Sequence, residues 1–170
     1  MKGAVNIKLS FGNEVFDIDL NRKVTFLKGD SGIGKTVFYN TAKMYYDKQL
    51  VNISKDIILE LTGCEKLIFP ALEGDSWRDK IIETDNCVVV VDESDAKVWK
   101  TPDLGRIIKK SGNYFLFIYR KNPWSSEFIK DVDEEDNGSV EHSISADITL
   151  SCKNIGGIFI NKSENIYKDS

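Results

Sequence analysis

Eight consecutive residues, Gly29-Asp30-Ser31-Gly32-Ile33-Gly34-Lys35-Thr36, fit the pattern G-x-x-x-x-G-K-[ST], and each fixed position has a chemical reason. Glycines admit backbone angles that turn successive amide N–H groups inward around phosphate oxygens. A helix opening directly behind the loop, with Val37 in its first turn, aims its positive dipole end at the same anion. Lys35 adds a point charge for the outer phosphates. Thr36 offers a hydroxyl to Mg²⁺, an ion that keeps most of its octahedral shell as water and phosphate oxygen. A match of this kind arises by chance in roughly one chain of such length in a hundred or fewer, so Gly29 to Val37 are expected to cradle nucleotide phosphates.

Such a metal needs a carboxylate from the end of a second strand beside the loop. The stretch Cys87-Val88-Val89-Val90-Val91-Asp92-Glu93 fits that need. Four consecutive valines suit a strand buried on both faces, and ligands sit at the C-terminal edge of a parallel sheet. Asp92 is therefore expected within about 7 Å of the Thr36 hydroxyl, close enough to share the metal. A strand that merely ends in acidic surface residues is the plainer alternative.

The glycine-rich segment resembles the Walker A loop of P-loop NTPases, and Asp92 with Glu93 resembles the Walker B carboxylates of their additional-strand, catalytic-glutamate branch, which includes AAA-like and ABC-like ATPases. This resemblance implies a three-layer α/β fold with a mainly parallel sheet, ATP and Mg²⁺ as cofactors, and ATP hydrolysis that switches a conformation or a partner. It implies that Glu93 polarises the attacking water and that a strand over Tyr114 to Tyr119 lies between the two motif strands. Beyond that strand, Asn122 resembles the sensor asparagine of AAA-like proteins, and Arg120 is placed to meet a γ-phosphate or a neighbouring subunit. A solvated strand end stays open for both.

Arg106 precedes the same strand, where related oligomeric ATPases carry an arginine that reaches into the next subunit's site. That position raises a homo-oligomer or a protein partner as an expectation, with a solvated helix face as the alternative. The strand-turn-strand lead, G-D-S-G-x-G-K-T and N-Y-F-x-x-x-Y-R also resemble small uncharacterised AAA-like ATP-binding proteins of bacterial mobile elements, over roughly residues 1 to 125.

Departures narrow the field. No L-S-G-G-Q signature occurs, so ABC-type sandwich catalysis is not expected. Asn161-Lys162-Ser163-Glu164 ends in glutamate where the guanine motif N-K-x-D has aspartate. A small-molecule kinase is the first rival, but Arg22, Arg78, Arg106 and Arg120 are scattered and form no lid cluster. A non-hydrolysing regulatory module is the second, and the intact Lys35, Thr36, Asp92 and Glu93 argue against it.

The elements that must position these residues follow from periodicity. Val5, Ile7 and Leu9, then Phe16, Ile18 and Leu20, alternate with polar neighbours across a Gly12-Asn13 turn, which predicts a hairpin. Val24 to Leu27 predicts a strand, and Lys35 to Tyr46 a helix with Val37, Phe38, Ala42 and Tyr45 at helical spacing. Further on come a short strand at Leu67 to Phe69, a short helix around Trp77 to Ile82, a strand at Cys87 to Val91, a helix between Pro102 and Lys110, and a strand at Tyr114 to Tyr119. Strands alternating with helices predict an α/β parallel sheet with helices on both faces. Past Pro123, an acidic run from Asp131 to Asp136 and alternation at Ile144, Ala146, Ile148 and Leu150 predict an acidic loop and antiparallel strands. The expected organisation is one domain over residues 1–170, with a core to residue 125 and a β-rich extension from 126.

At 170 residues, 29% charged and 41% apolar, the chain can bury about two thirds of its unfolded surface and carry an ordinary core. A net charge of −4 gives no whole-molecule attraction to nucleic acid or anionic membrane. No apolar run reaches the roughly 20 residues needed to span a bilayer, and no signal-like stretch opens the chain, so a cytoplasmic location is expected. Cys64, Cys87 and Cys152 show no C-x-x-C spacing, and His142 is the single histidine, which argues against a zinc site or a disulfide framework.

Overall fold

In the computed structural model, residues 5–12, 14–28, 35–47, 56–119 and 150–154 are described, with side chains for all of these except 28, 35, 36 and 150–154. Strand β1 (Val5–Phe11) and strand β2 (Glu14–Leu20) form the expected hairpin, in register from Val5 opposite Leu20 to Phe11 opposite Glu14. Gly12 turns the chain at a φ of +59°, a left-handed conformation that glycine takes without strain. Alternation decides the faces. Val5, Ile7, Leu9, Phe16, Ile18 and Leu20 are fully buried, while Asn6 on the other face donates to Asp17 (2.6 Å) and Asp19 (2.7 Å).

The hairpin grows at both edges into a four-stranded antiparallel sheet. Strand β4 (Ile57–Thr62) joins β1, and the C-terminal strand β8 (Leu150–Asn154) joins β2. The predicted antiparallel C-terminal pairing is thus present from Leu150, whereas Ile144, Ala146 and Ile148 and the acidic run lie outside the described residues.

A second, four-stranded sheet is wholly parallel. It consists of β3 (Val24–Lys28), β5 (Leu67–Ile68), β6 (Asp85–Asp92) and β7 (Gly112–Tyr119), in the spatial order β3-β7-β6-β5. The strand over Tyr114 to Tyr119 therefore lies between the strand that precedes the glycine-rich segment and the strand that ends at Asp92. Cys87 to Val91 and Asn113 to Tyr119 are buried residue after residue, as strands covered on both faces must be.

Helix α1 (Lys35–Tyr46) lies against both sheets. Phe38 meets Phe16 of the antiparallel sheet edge-on at 5.8 Å, while Tyr39 and Tyr46 meet Phe69, just past β5, at 5.7 and 5.9 Å. Two of the four apolar residues expected on its packed face, Val37 and Tyr45, are instead exposed. The buried residues Phe38, Tyr39, Thr41 and Ala42 fall on one side of the helix, with Val37 outside that arc and Tyr45 near the helix end. The described residues also form the short helices α2 (Pro70–Glu73), α3 (Trp77–Glu83), α4 (Ala96–Trp99) and α5 (Leu104–Lys110).

Strands β6 and β7 slip register between Asp85 and Val88, where Asn86 takes a φ of +59°. A bulge of this kind removes ladder hydrogen bonds. The fully buried Asn113 replaces them: its Oδ1 accepts from the Cys87 amide (3.0 Å), and its Nδ2 donates to the Ile81 carbonyl (3.0 Å) and the Thr84 hydroxyl (3.1 Å). Asn113→Ala leaves the Cys87 amide and the Ile81 carbonyl without this partner in the core, so unfolding in urea should show a loss of about 2–4 kcal/mol.

Candidate functional site

The C-terminal ends of three parallel strands lie level. Lys28 of β3 pairs with Tyr119 of β7, and Ile118 pairs with Asp92 of β6. Two strand spacings place the Asp92 backbone about 10 Å from the end of β3, where the glycine-rich segment departs. The segment starts directly after β3 and ends where α1 begins, the strand-to-helix context its chemistry requires.

The chain after Asp92 is held by a dense set of short bonds. Asp92 Oδ2 accepts from the Ser94 amide (3.1 Å) and the Ser94 hydroxyl (2.7 Å), and the Asp95 amide donates to the Asp92 carbonyl (2.9 Å). The Trp99 indole donates to the backbone carbonyl of Glu93 (2.8 Å), which fixes the turn while the Glu93 side chain faces solvent. Lys97 Nζ ties the start of α4 to the Gly74 carbonyl (3.0 Å).

Asp95 was not among the expected site residues. It is buried, and its Oδ2 accepts from both the Tyr39 hydroxyl (2.8 Å) and the Asp92 amide (2.8 Å). Burial first, and then the nearby carboxylates of Asp95 and Asp92, raise the Tyr39 hydroxyl above the ordinary tyrosine range, so it remains a donor at neutral pH. The signal available in the sequence was the spacing Asp92-x-x-Asp95, which periodicity alone does not distinguish from a solvated turn.

Asp92 sits half-buried at a strand end, and among the described residues its side-chain hydrogen bonds engage Oδ2 only. No group of three or more His, Cys, Asp or Glu is gathered for a metal among the described residues. A single carboxylate completed by phosphate and water is the donor set Mg²⁺ accepts, so the residues present fit that ion.

Of the other expected site residues, Gly29, Asp30, Ser31, Gly32, Ile33, Gly34, Arg120 and Asn122 lie outside the described residues. Lys35 and Thr36 form the start of α1, but their side chains lie outside them too, and with them the expected Asp92–Thr36 separation. Val37 is exposed in the first turn of α1, and Arg106 is exposed on α5. Cys87 belongs to the core, and Cys64 is half-buried with its thiol pushed up to about 11 by burial and then by Cys87, which makes it a poor nucleophile at neutral pH. No helix among the described residues is long and apolar enough to cross a membrane.

Fold and site together define a mixed α/β protein in which a four-stranded parallel sheet lies beside an antiparallel one. Comparisons of the chain with protein-family models, with curated proteins and with solved structures find no match.

Proposed function

We propose that this chain is a P-loop NTPase of the additional-strand, catalytic-glutamate branch, which binds ATP with Mg²⁺ and hydrolyses it to switch a conformation or a partner interaction. The observation that supports the reading is the strand order β3-β7-β6, which sets the end of β3, the strand that the glycine-rich segment follows in sequence, level with Asp92 and with a single strand between them. Ligands of open parallel sheets sit at that edge.

In this reading the amides of Gly29 to Gly34 and the Lys35 ammonium bind the phosphates, and Thr36 and Asp92 hold Mg²⁺. When bound, the ion neutralises charge that develops on the phosphate oxygens. Glu93 orients a water for attack on the γ-phosphorus and draws its proton; solvent reaches this side chain, and its backbone is pinned by Trp99. Adenine recognition and any part played by Arg106, Arg120 or Asn122 belong to the same proposal.

Calorimetry with ATP and Mg²⁺, followed by single-turnover phosphate release, tests it. One nucleotide bound per chain and release of inorganic phosphate are expected. Binding without release would favour the regulatory module, transfer of phosphate to an added small-molecule acceptor would favour the kinase, and absence of binding would overturn the proposal.

A further inference from the structure

Asp95 is the one buried charged side chain among the described residues, at 7% exposure. A carboxylate withdrawn from water is costly to keep unless hydrogen bonds replace its hydration. Here both bonds converge on one oxygen and come from different parts of the fold: the Tyr39 hydroxyl from α1 and the Asp92 amide from the end of β6. Asp95 also stands at the N-cap of α4, where an aspartate side chain ordinarily bonds the helix's own free amides, yet its carboxylate makes no cap hydrogen bond. Its side chain turns inward instead.

Tyr39 is equally constrained. Its ring packs edge-on against Phe69 at 5.7 Å, the Lys43 ammonium lies 4.9 Å from the ring centroid, and only 3% of the residue is exposed. It follows Thr36 by three residues on α1, a rise of about 4.5 Å along the axis.

We infer that Tyr39 and Asp95 are positioning residues, forming a buried brace that ties the helix opening on Lys35 and Thr36 to the backbone of Asp92 and so sets the separation of the two halves of the metal–nucleotide site. The inference rests on the ATP- and Mg²⁺-binding reading above. Phosphate contacts made by the loop do not depend on the brace; joint use of Thr36 and Asp92 toward one metal does. Loss of the brace therefore weakens the Mg²⁺-dependent part of ATP binding and spares the metal-free part.

The test is the affinity for a non-hydrolysable ATP analogue in Mg²⁺ and in EDTA, for the wild type, Asp92→Asn, Tyr39→Phe, Asp95→Ala and Asp95→Asn. Asparagine keeps an oxygen able to accept both hydrogen bonds, so Asp95→Asn should retain the Mg²⁺ enhancement within about threefold. Asp95→Ala should lose it as fully as Asp92→Asn does, and Tyr39→Phe, which removes only one hydroxyl, should lose about tenfold of it with affinity in EDTA unchanged within twofold. A merely structural role would lower the melting temperature of Tyr39→Phe and Asp95→Ala and leave the Mg²⁺ enhancement in place, and that result would overturn the brace alone. Should Asp95→Ala fail to fold, Tyr39→Phe decides by the same criterion. A wild type that binds the analogue without any Mg²⁺ enhancement, or does not bind it at all, would remove the underlying reading and the brace with it.

Discussion

Lys35→Ala should lower ATP affinity by at least about 50-fold while leaving the fold intact. Charge-assisted hydrogen bonds to phosphate contribute about 1.5–3 kcal/mol each, and the lysine in this position is the cation of the proposed phosphate cradle. No protein group elsewhere is expected to replace it. The fold should tolerate the change, because among the described side chains of α1 the buried ones begin at Phe38, one turn further along. Melting within about 2 °C of the wild type, measured beside calorimetry with a non-hydrolysable analogue, would separate a binding defect from unfolding. Unchanged affinity in a folded variant would show that the phosphates bind elsewhere.

Glu93→Gln should keep ATP binding and slow hydrolysis by two or more orders of magnitude, since an amide cannot take the proton that a carboxylate draws from the attacking water. The substitution is nearly isosteric, and the Trp99 bond that helps shape the turn engages the Glu93 backbone carbonyl, which the substitution keeps. Binding and chemistry should therefore part. Phosphate release measured in a single turnover, with saturation confirmed for both proteins, gives the comparison. Agreement within a factor of about three would reduce Glu93 to an exposed charge at a strand end. A pair that binds and does not hydrolyse would make the regulatory module the better reading, unless a partner supplies an arginine in trans.

Elements with strong local period were legible from the residues. Alternation at Val5 to Leu9 and Phe16 to Leu20 marks the hairpin, the valine run marks β6, and the span of α1 agrees with its expected limits. Strand β4 was missed: three of the four apolar residues in Ile57 to Thr62, Ile57, Ile58 and Leu59, are consecutive, so the alternation that makes Ile57 buried and Ile58 exposed is hidden. The order β3-β7-β6 was implied by a family resemblance and not by any periodicity, because strand neighbours are chosen by contacts distant in sequence.

Local chemistry and local shape are written in neighbouring residues: a glycine-rich stretch closed by Lys35 and Thr36 between an apolar run and a helical period, and a valine run followed by two carboxylates. Backbone freedom, charge and hydrophobic period are properties of neighbouring residues, so they can be read in order along the chain. Tertiary structure alone decided that Asp95 is enclosed while Glu93 faces water, and that Asn113 fills a gap in the ladder between β6 and β7. It also decided that the hydroxyl of Tyr39, 56 positions from Asp95, joins the Asp92 amide in donating to that carboxylate. The burial of a polar group depends on what packs over it, and only the folded chain brings those partners together.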